Sequence, residues 1–154
     1  MSTLIIISCS ERKLRKPRTP IPAIERYDGV FYRLIRKAQR EGRLVPSLSL
    51  VILSAKYGLL RPQSPISHYE QRIDATRIPI LRPGVQGKLK ALLRRKRFEH
   101  IYVNLGKAYE PLIDGIAEIE EGVWAVGGIG TRAQTLRNWI DSEATPSQQK
   151  RARE

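Results

Sequence analysis

The chain has 154 residues, 41% of them apolar, which is one domain's worth with a single core of ordinary size. Its formal charge is +13, from 28 Lys and Arg against 15 Asp and Glu, so its field attracts phosphate-bearing partners and repels other basic surfaces. The single cysteine, Cys9, excludes an internal disulfide and a Cys-rich zinc site, and two histidines, His68 and His100, are too few for a multi-histidine metal centre.

Residues 3 to 8 form a short, continuous, Ile-rich run that ends in Ser8, Cys9 and Ser10 and turns at once to charge at Glu11, Arg12 and Lys13. The run is far shorter than a membrane span or a signal-peptide core, so a soluble protein of the reducing cytoplasm is expected, with no membrane association. Val30, Phe31, Leu34, Ile35 and Ala38 then recur at helical spacing, with Asp28 as the predicted N-cap and Gly42 as the stop. A second apolar run, VILSA at 51 to 55, leads into KYGLL. Residues 61 to 83 are rich in proline without a clean period and read as a long excursion holding at most a short helix or an edge strand.

Val85, Leu89, Leu92 and Leu93 mark a second helix. Its cationic end, RRKR at 94 to 97, suits the negative end of a helix dipole as well as it suits nucleic-acid contact. HIYVNL at 100 to 105 is a third strand; a short helix is expected to start near Pro111 and to bury Leu112, Ile113 and Ile116. VWAV at 123 to 126 is a fourth strand, followed by GGIGTR and a last helix from Thr131 to about Asp141 that buries Ala133, Leu136, Trp139 and Ile140. Continuous apolar runs alternating with helices predict βαβ units. The expected fold is α/β, a three-layer α-β-α sandwich with a mostly parallel central sheet of four to five strands. It occupies a single domain over residues 1 to 141, with a mobile basic tail over 142 to 154.

Parallel strands share one C-terminal edge, where open α/β folds bind ligands. Each of the four strands is followed there by small residues beside a cation: Lys13, Lys56, Lys107 and Arg132. Small residues let a ligand approach backbone amides, and cations complete an anion site. One wall is then Ser8, Cys9, Ser10 and Lys13; a second is Ser54, Lys56 and Tyr57; Gly128, Gly130 and Arg132 form a phosphate seat; Tyr69 supplies stacking. A purely structural reading stands beside each of these: tight turns for the glycines, packing for Cys9 and the tyrosines. Cys9, Ser10 and Lys13 are the candidates for chemistry, and no spacing selects an acid/base pair among Glu11, Asp28, Glu70, Asp74 and Glu110.

Cys9, Ser10 and Lys13 in a C-S-x-x-K pattern, ILSAKYGL at Ile52 to Leu59, Ala23 and Tyr27, Pro62, Ile66, Tyr69 and the GGIG turn together resemble a small prokaryotic domain family of unknown function. That family is distantly similar to the YaaA peroxide-stress proteins and to the core module of archaeosine synthases, from which this chain departs after Cys9, where it reads SERKLRKPR. The resemblance implies an α/β sandwich akin to uracil-DNA-glycosylase-like modules and a link to nucleic acids or modified bases. The expected function is therefore binding of a nucleotide, or of a base within a nucleic acid, at the strand edge, with a step at the base or the N-glycosidic bond, and with no cofactor and no metal. Two alternatives stand: a non-catalytic nucleic-acid-binding module that uses basic faces at 12 to 18 and 94 to 97, and a hydrolase or transferase for an anionic metabolite.

Overall fold

A computed structural model describes residues 2–144. Its centre is a five-stranded sheet in which β1 (Thr3–Ser8) lies between β3 (Leu48–Ser54) and β6 (His100–Asn104), all parallel. Beyond β6 the two-residue β7 (Val123–Trp124) is also parallel, whereas β4 (Gly58–Leu60) turns back antiparallel on β3. The four expected strands are thus present, and the KYGLL segment supplies a fifth. A separate two-residue ladder joins β2 (Ile21–Pro22) to β5 (Pro65–Ile66).

Helices cover both faces, which is why β1 is apolar on every side. Alternate residues face opposite ways along a strand. Ile5 and Ile7 therefore pack with α1 (Ala23–Arg26), α2 (Val30–Arg40) and α5 (Ile129–Glu143). Leu4 and Ile6 pack under α3 (Arg77–Arg95), a 3-10 helix (Lys107–Leu112) and α4 (Ala117–Glu120). All four of these β1 side chains are buried, each worth about 1.5–3 kcal/mol relative to exposure. The chain leaves β1 for β3 on one side and returns by α3 to β6 on the other, so the connection order reverses between β1 and β6. Ligand crevices open at such reversals, beyond the strand C-termini.

Three expected elements come out differently. Helix α3 begins at Arg77 and runs through Pro83, eight residues ahead of the first apolar position that marked it, because Leu81 extends the buried row of Val85, Leu89 and Leu92 backwards past the proline. The helix expected near Pro111 is instead a 3-10 turn followed by the single turn of α4, although Leu112, Ile113 and Ile116 are buried as expected. Gly29, not Asp28, is the N-cap of α2; the Asp28 carboxylate points to Arg33 and Arg36 at 2.9 and 2.8 Å. Helix α5 extends beyond Asp141 to Glu143, and the remainder of the expected tail, residues 145–154, lies outside the described residues.

Glu143 ties α5 to the start of the sheet, accepting hydrogen bonds from Thr3 Oγ1 at 2.9 Å and Tyr102 OH at 2.8 Å and pairing with His100 Nδ1 at 2.7 Å. Burial alone would raise its pKa, but the bonds from Tyr102, His100 and Thr3 outweigh it and hold the carboxyl below the usual range. A folded pKa below the unfolded one contributes stability above the unfolded value, about 4.3 for Glu, that is lost as pH falls through the folded value. Glu143→Gln should therefore lower the denaturant midpoint at pH 7, and the gap from the wild type should close by about pH 3.

Arg26 is fully buried, yet among the described residues no carboxylate pairs with it. Its guanidinium donates instead to three carbonyl oxygens, those of Ile66 at 3.2 Å, Leu14 at 2.9 Å and Thr19 at 2.9 Å. Removing the donor strands those carbonyls, each at about 1–3 kcal/mol. Arg26→Leu should cost at least about 3 kcal/mol in urea unfolding. Arg26→Lys should recover little of it, since one ammonium cannot match the planar fork.

Candidate functional site

The end of β1 is built by close approach. Ser8 accepts the Gly106 amide on its hydroxyl at 3.0 Å and the Tyr32 hydroxyl on its carbonyl at 2.9 Å, which joins β1 to the loop after β6 and to α2. The Cys9 amide donates to Leu53 O at 2.8 Å, and its sulfur lies 3.0 Å from Tyr109 OH. Ser10 Oγ accepts from the Gly29 amide at 3.3 Å, and a β-carbon on Gly29 would stand 2.7 Å from that of Ser10. The run of small residues thus meets a packing demand at the crevice between β1 and β6.

The crevice is a cavity of about 510 Å³ between α2, α5 and the loop after β6. Ser8, Cys9, Ser10 and Lys13 line it together with Val30 and Phe31, Gly106 and Tyr109, Arg72, and Ile129 and Arg132. Both α2 and α5 bring their N-terminal ends to it, each capped by glycine without a side-chain cap and without an acidic residue in the first turn. Arg132 donates from Nε to Asn104 Oδ1 at 2.8 Å and lies 4.9 Å over the Phe31 ring; burial lowers its pKa. The Asn104 Nδ2 is buried without a partner beside that guanidinium.

The second expected wall stands behind the cavity rather than in it. Ser54 is fully buried and accepts the amides of Lys56 and Tyr57 at 3.1 and 3.0 Å, with Tyr69 OH at 2.9 Å; its hydroxyl is committed to the turn after β3. Tyr69 is 5% exposed, with Tyr57 and Tyr27 edge-on to it, so no base can stack on it. What its ring does carry is charge: Lys13 Nζ at 4.5 Å and Lys56 Nζ at 5.6 Å from the centroid. Lys56 and Tyr57 are solvent-exposed and do not line the cavity. Gly128 and Gly130 are exposed as well and frame the turn into α5, leaving Arg132 as the member of that seat that faces the crevice. The strand ends do share one edge of the sheet, and three of the four line the hollow.

Glu11 and Glu70 also line the cavity, but among the described residues the carboxylates near it are paired with neighbouring side chains or amides or lie in the open. Hydrogen bonds from Arg33, joined by Arg36, hold the Asp28 carboxyl below its ordinary range against the opposing effect of burial. Glu11 pairs with Arg72 at 2.9 Å, Glu70 with His68 at 3.2 Å, and Asp74 caps the start of α3 through the Thr76 and Arg77 amides. Glu110 is exposed in the 3-10 helix. Burial, reinforced by the neighbouring Cys9, pushes the phenols of Tyr32, Tyr69 and Tyr109 above their usual value, so they remain protonated donors. Tyr27 is raised in the same way, and its hydroxyl meets Tyr69 OH at 2.6 Å.

Outside the sequence reading lay Phe31 as a wall rather than core, Arg72 and Ile129 in the cavity, and the buried Asn104 beneath Arg132. Arg72 arrives from a proline-rich excursion far along the chain, and no local pattern marks it. The Ser10–Gly29 approach is directly testable. Gly29→Ala should cost about 1–3 kcal/mol, and in the Ser10→Gly background the loss should shrink by about 1 kcal/mol or more in a double-mutant cycle. Strict additivity would show that Ser10 is not the obstacle.

Among the described residues no helix is long and apolar enough to cross a membrane. No curated protein and no solved structure matches the chain. A family model does match, over residues 4–137, and by that match the chain belongs to the family of unknown function DUF6884.

Proposed function

We propose that the protein binds a nucleotide, or a base within a nucleic acid, in the crevice between β1 and β6. The observation that carries this reading is the convergence, on one cavity of about 510 Å³, of Lys13, Arg132 and two helix N-termini without side-chain caps around an apolar wall of Val30, Phe31 and Ile129. Cations and free amides suit a phosphate, and a flat apolar wall suits a base. The volume falls within the range of about 300–1,000 Å³ usual for small-ligand sites. The motif resemblance of this family to YaaA proteins and archaeosine synthases, if it extends to function, implies the same class of ligand.

Binding is better supported than turnover. The Ser8 and Ser10 hydroxyls are committed to backbone amides, and Cys9 meets a neutral phenol rather than a base. A step at the base or at its N-glycosidic bond would have Cys9 as its nearest sulfur nucleophile, with Lys13 as the neighbouring cation. The alternative of a pocketless grip through the basic faces at 12–18 and 94–97 would need them on one surface, but the first follows the C-terminal end of β1 and the second sits where α3 ends and β6 begins, at the opposite edge of the sheet.

Thermal unfolding with purine and pyrimidine mononucleotides tests the reading, because a ligand that binds only the folded state raises the melting temperature. Lys13→Ala and Arg132→Ala should each weaken binding by about tenfold, or 1.4 kcal/mol, whereas Lys56→Ala, which stands outside the cavity, should change it less than about twofold, or 0.4 kcal/mol. No shift with any mononucleotide or oligonucleotide, or equal losses at all three lysine and arginine sites, would remove the proposal.

A further inference from the structure

The cavity does not end at Lys13. A second hollow of about 370 Å³ opens on its far side, reaching Arg15 and His68, and the two share Glu11, Arg12, Lys13 and Glu70 as a common wall. The two hollows therefore adjoin at the start of the segment 12–18, and Asp28, held by Arg33 and Arg36, borders the second. That segment carries Arg12, Lys13, Arg15, Lys16 and Arg18, and all but Lys13 are exposed.

Two properties set this ridge apart from an ordinary solvated charge run. Among the described residues no carboxylate lies within ion-pair distance of Lys13, Arg15, Lys16 or Arg18. Arg12, 71% exposed, is only 3.4 Å from Asp28, which Arg33 and Arg36 hold more closely. The ridge is also anchored rather than free. The Leu14 amide donates to Arg26 O at 2.8 Å, the Asp28 amide to Arg12 O at 2.9 Å, and the buried Arg26 side chain holds Leu14 O and Thr19 O from beneath. A backbone already fixed need not be ordered when an anion chain settles on these cations, which leaves only their side chains to immobilise.

We infer that the ligand is a polynucleotide single strand, with one nucleotide in the crevice and the adjoining phosphates on the ridge from Arg12 to Arg18; this rests on the nucleotide-binding reading above. A mononucleotide would fill the crevice and leave the ridge unused. A duplex presents a base to the apolar wall only at the cost of unstacking and unpairing it, whereas a single strand offers an unstacked base and a row of phosphates at once. An acidic peptide matches the charge of the ridge but brings no flat apolar group to Phe31 and Ile129.

Fluorescence anisotropy of the whole chain with a labelled single-stranded decanucleotide, competed by mononucleotide, tests the inference. The oligonucleotide should bind at least about tenfold more tightly than the mononucleotide at equal salt. The triple variant R15A/K16A/R18A should remove that advantage and lower the salt slope by about 2, as loss of three phosphate contacts on a single strand requires. It should leave mononucleotide binding unchanged, and R94A/R95A should alter neither. If mononucleotide binds and the oligonucleotide binds no better, the inference falls while the crevice reading stands; if the triple variant loses nothing, or if polyglutamate of equal charge competes as well as the oligonucleotide, it falls as well. If neither nucleotide form binds the wild type, both readings fall together.

Discussion

The site depends on a buried positive charge that meets no carboxylate among the described residues. Arg26, sealed beneath the loop that follows β1, is satisfied by carbonyl oxygens alone. A planar guanidinium with its donors in a fixed fork can gather several backbone segments at once, which an ammonium or an apolar side chain cannot. Here it gathers three: the stretch around Leu14, the turn at Thr19, and β5, a few residues ahead of Tyr69. Lys13 and the Tyr69 ring beneath it stand on the two segments so fixed. The loop from Ser10 to Pro20 contributes no strand to the main sheet, so this clamp and the backbone bonds at Arg12 and Leu14 are what hold it over the crevice.

From this clamp follows the division between the two shells of the strand edge. Behind the cavity lies a hydrogen-bonded set of buried hydroxyls, Ser54, Tyr69 and Tyr27, which fixes the turn after β3 and carries two lysines on an aromatic face. In front lies the open hollow with Ser8, Cys9, Ser10, Tyr109 and Arg132. The inner shell is kept neutral by desolvation, since phenols in such surroundings resist losing their protons. The cations at the mouth, Lys13 and Arg132, stand outside this neutral set.

Much of this architecture is legible from sequence, and the reasons are local. β1, β6 and α5 announce themselves because burial on two faces, or on one helical stripe, leaves an unbroken apolar signature at Ile5 to Ile7, Tyr102 and Val103, and Leu136 to Ile140. The shared cationic edge follows from parallel order alone. What escapes is whatever depends on a partner distant in the chain. Pro83 reads as a helix breaker, but the packing of Leu81 against β4 and its neighbours overrides the cost of one lost bond. Asp28 has the composition of a cap, yet three arginines compete for it. Ser54 and Tyr69 look like ligand groups until each is seen to satisfy the other, and nothing in the pattern of residues 23 to 27 says that Arg26 points inward.

The sheet also tapers, from six- and seven-residue strands at its middle to three residues in β4 on one flank and two in β7 on the other. Strand flanks are where sheets of separate molecules zip together, and here each flank offers too few unpaired amides and carbonyls to start such a ladder. Self-association through the backbone is thus discouraged by shape as well as by the repulsion of a strongly basic surface.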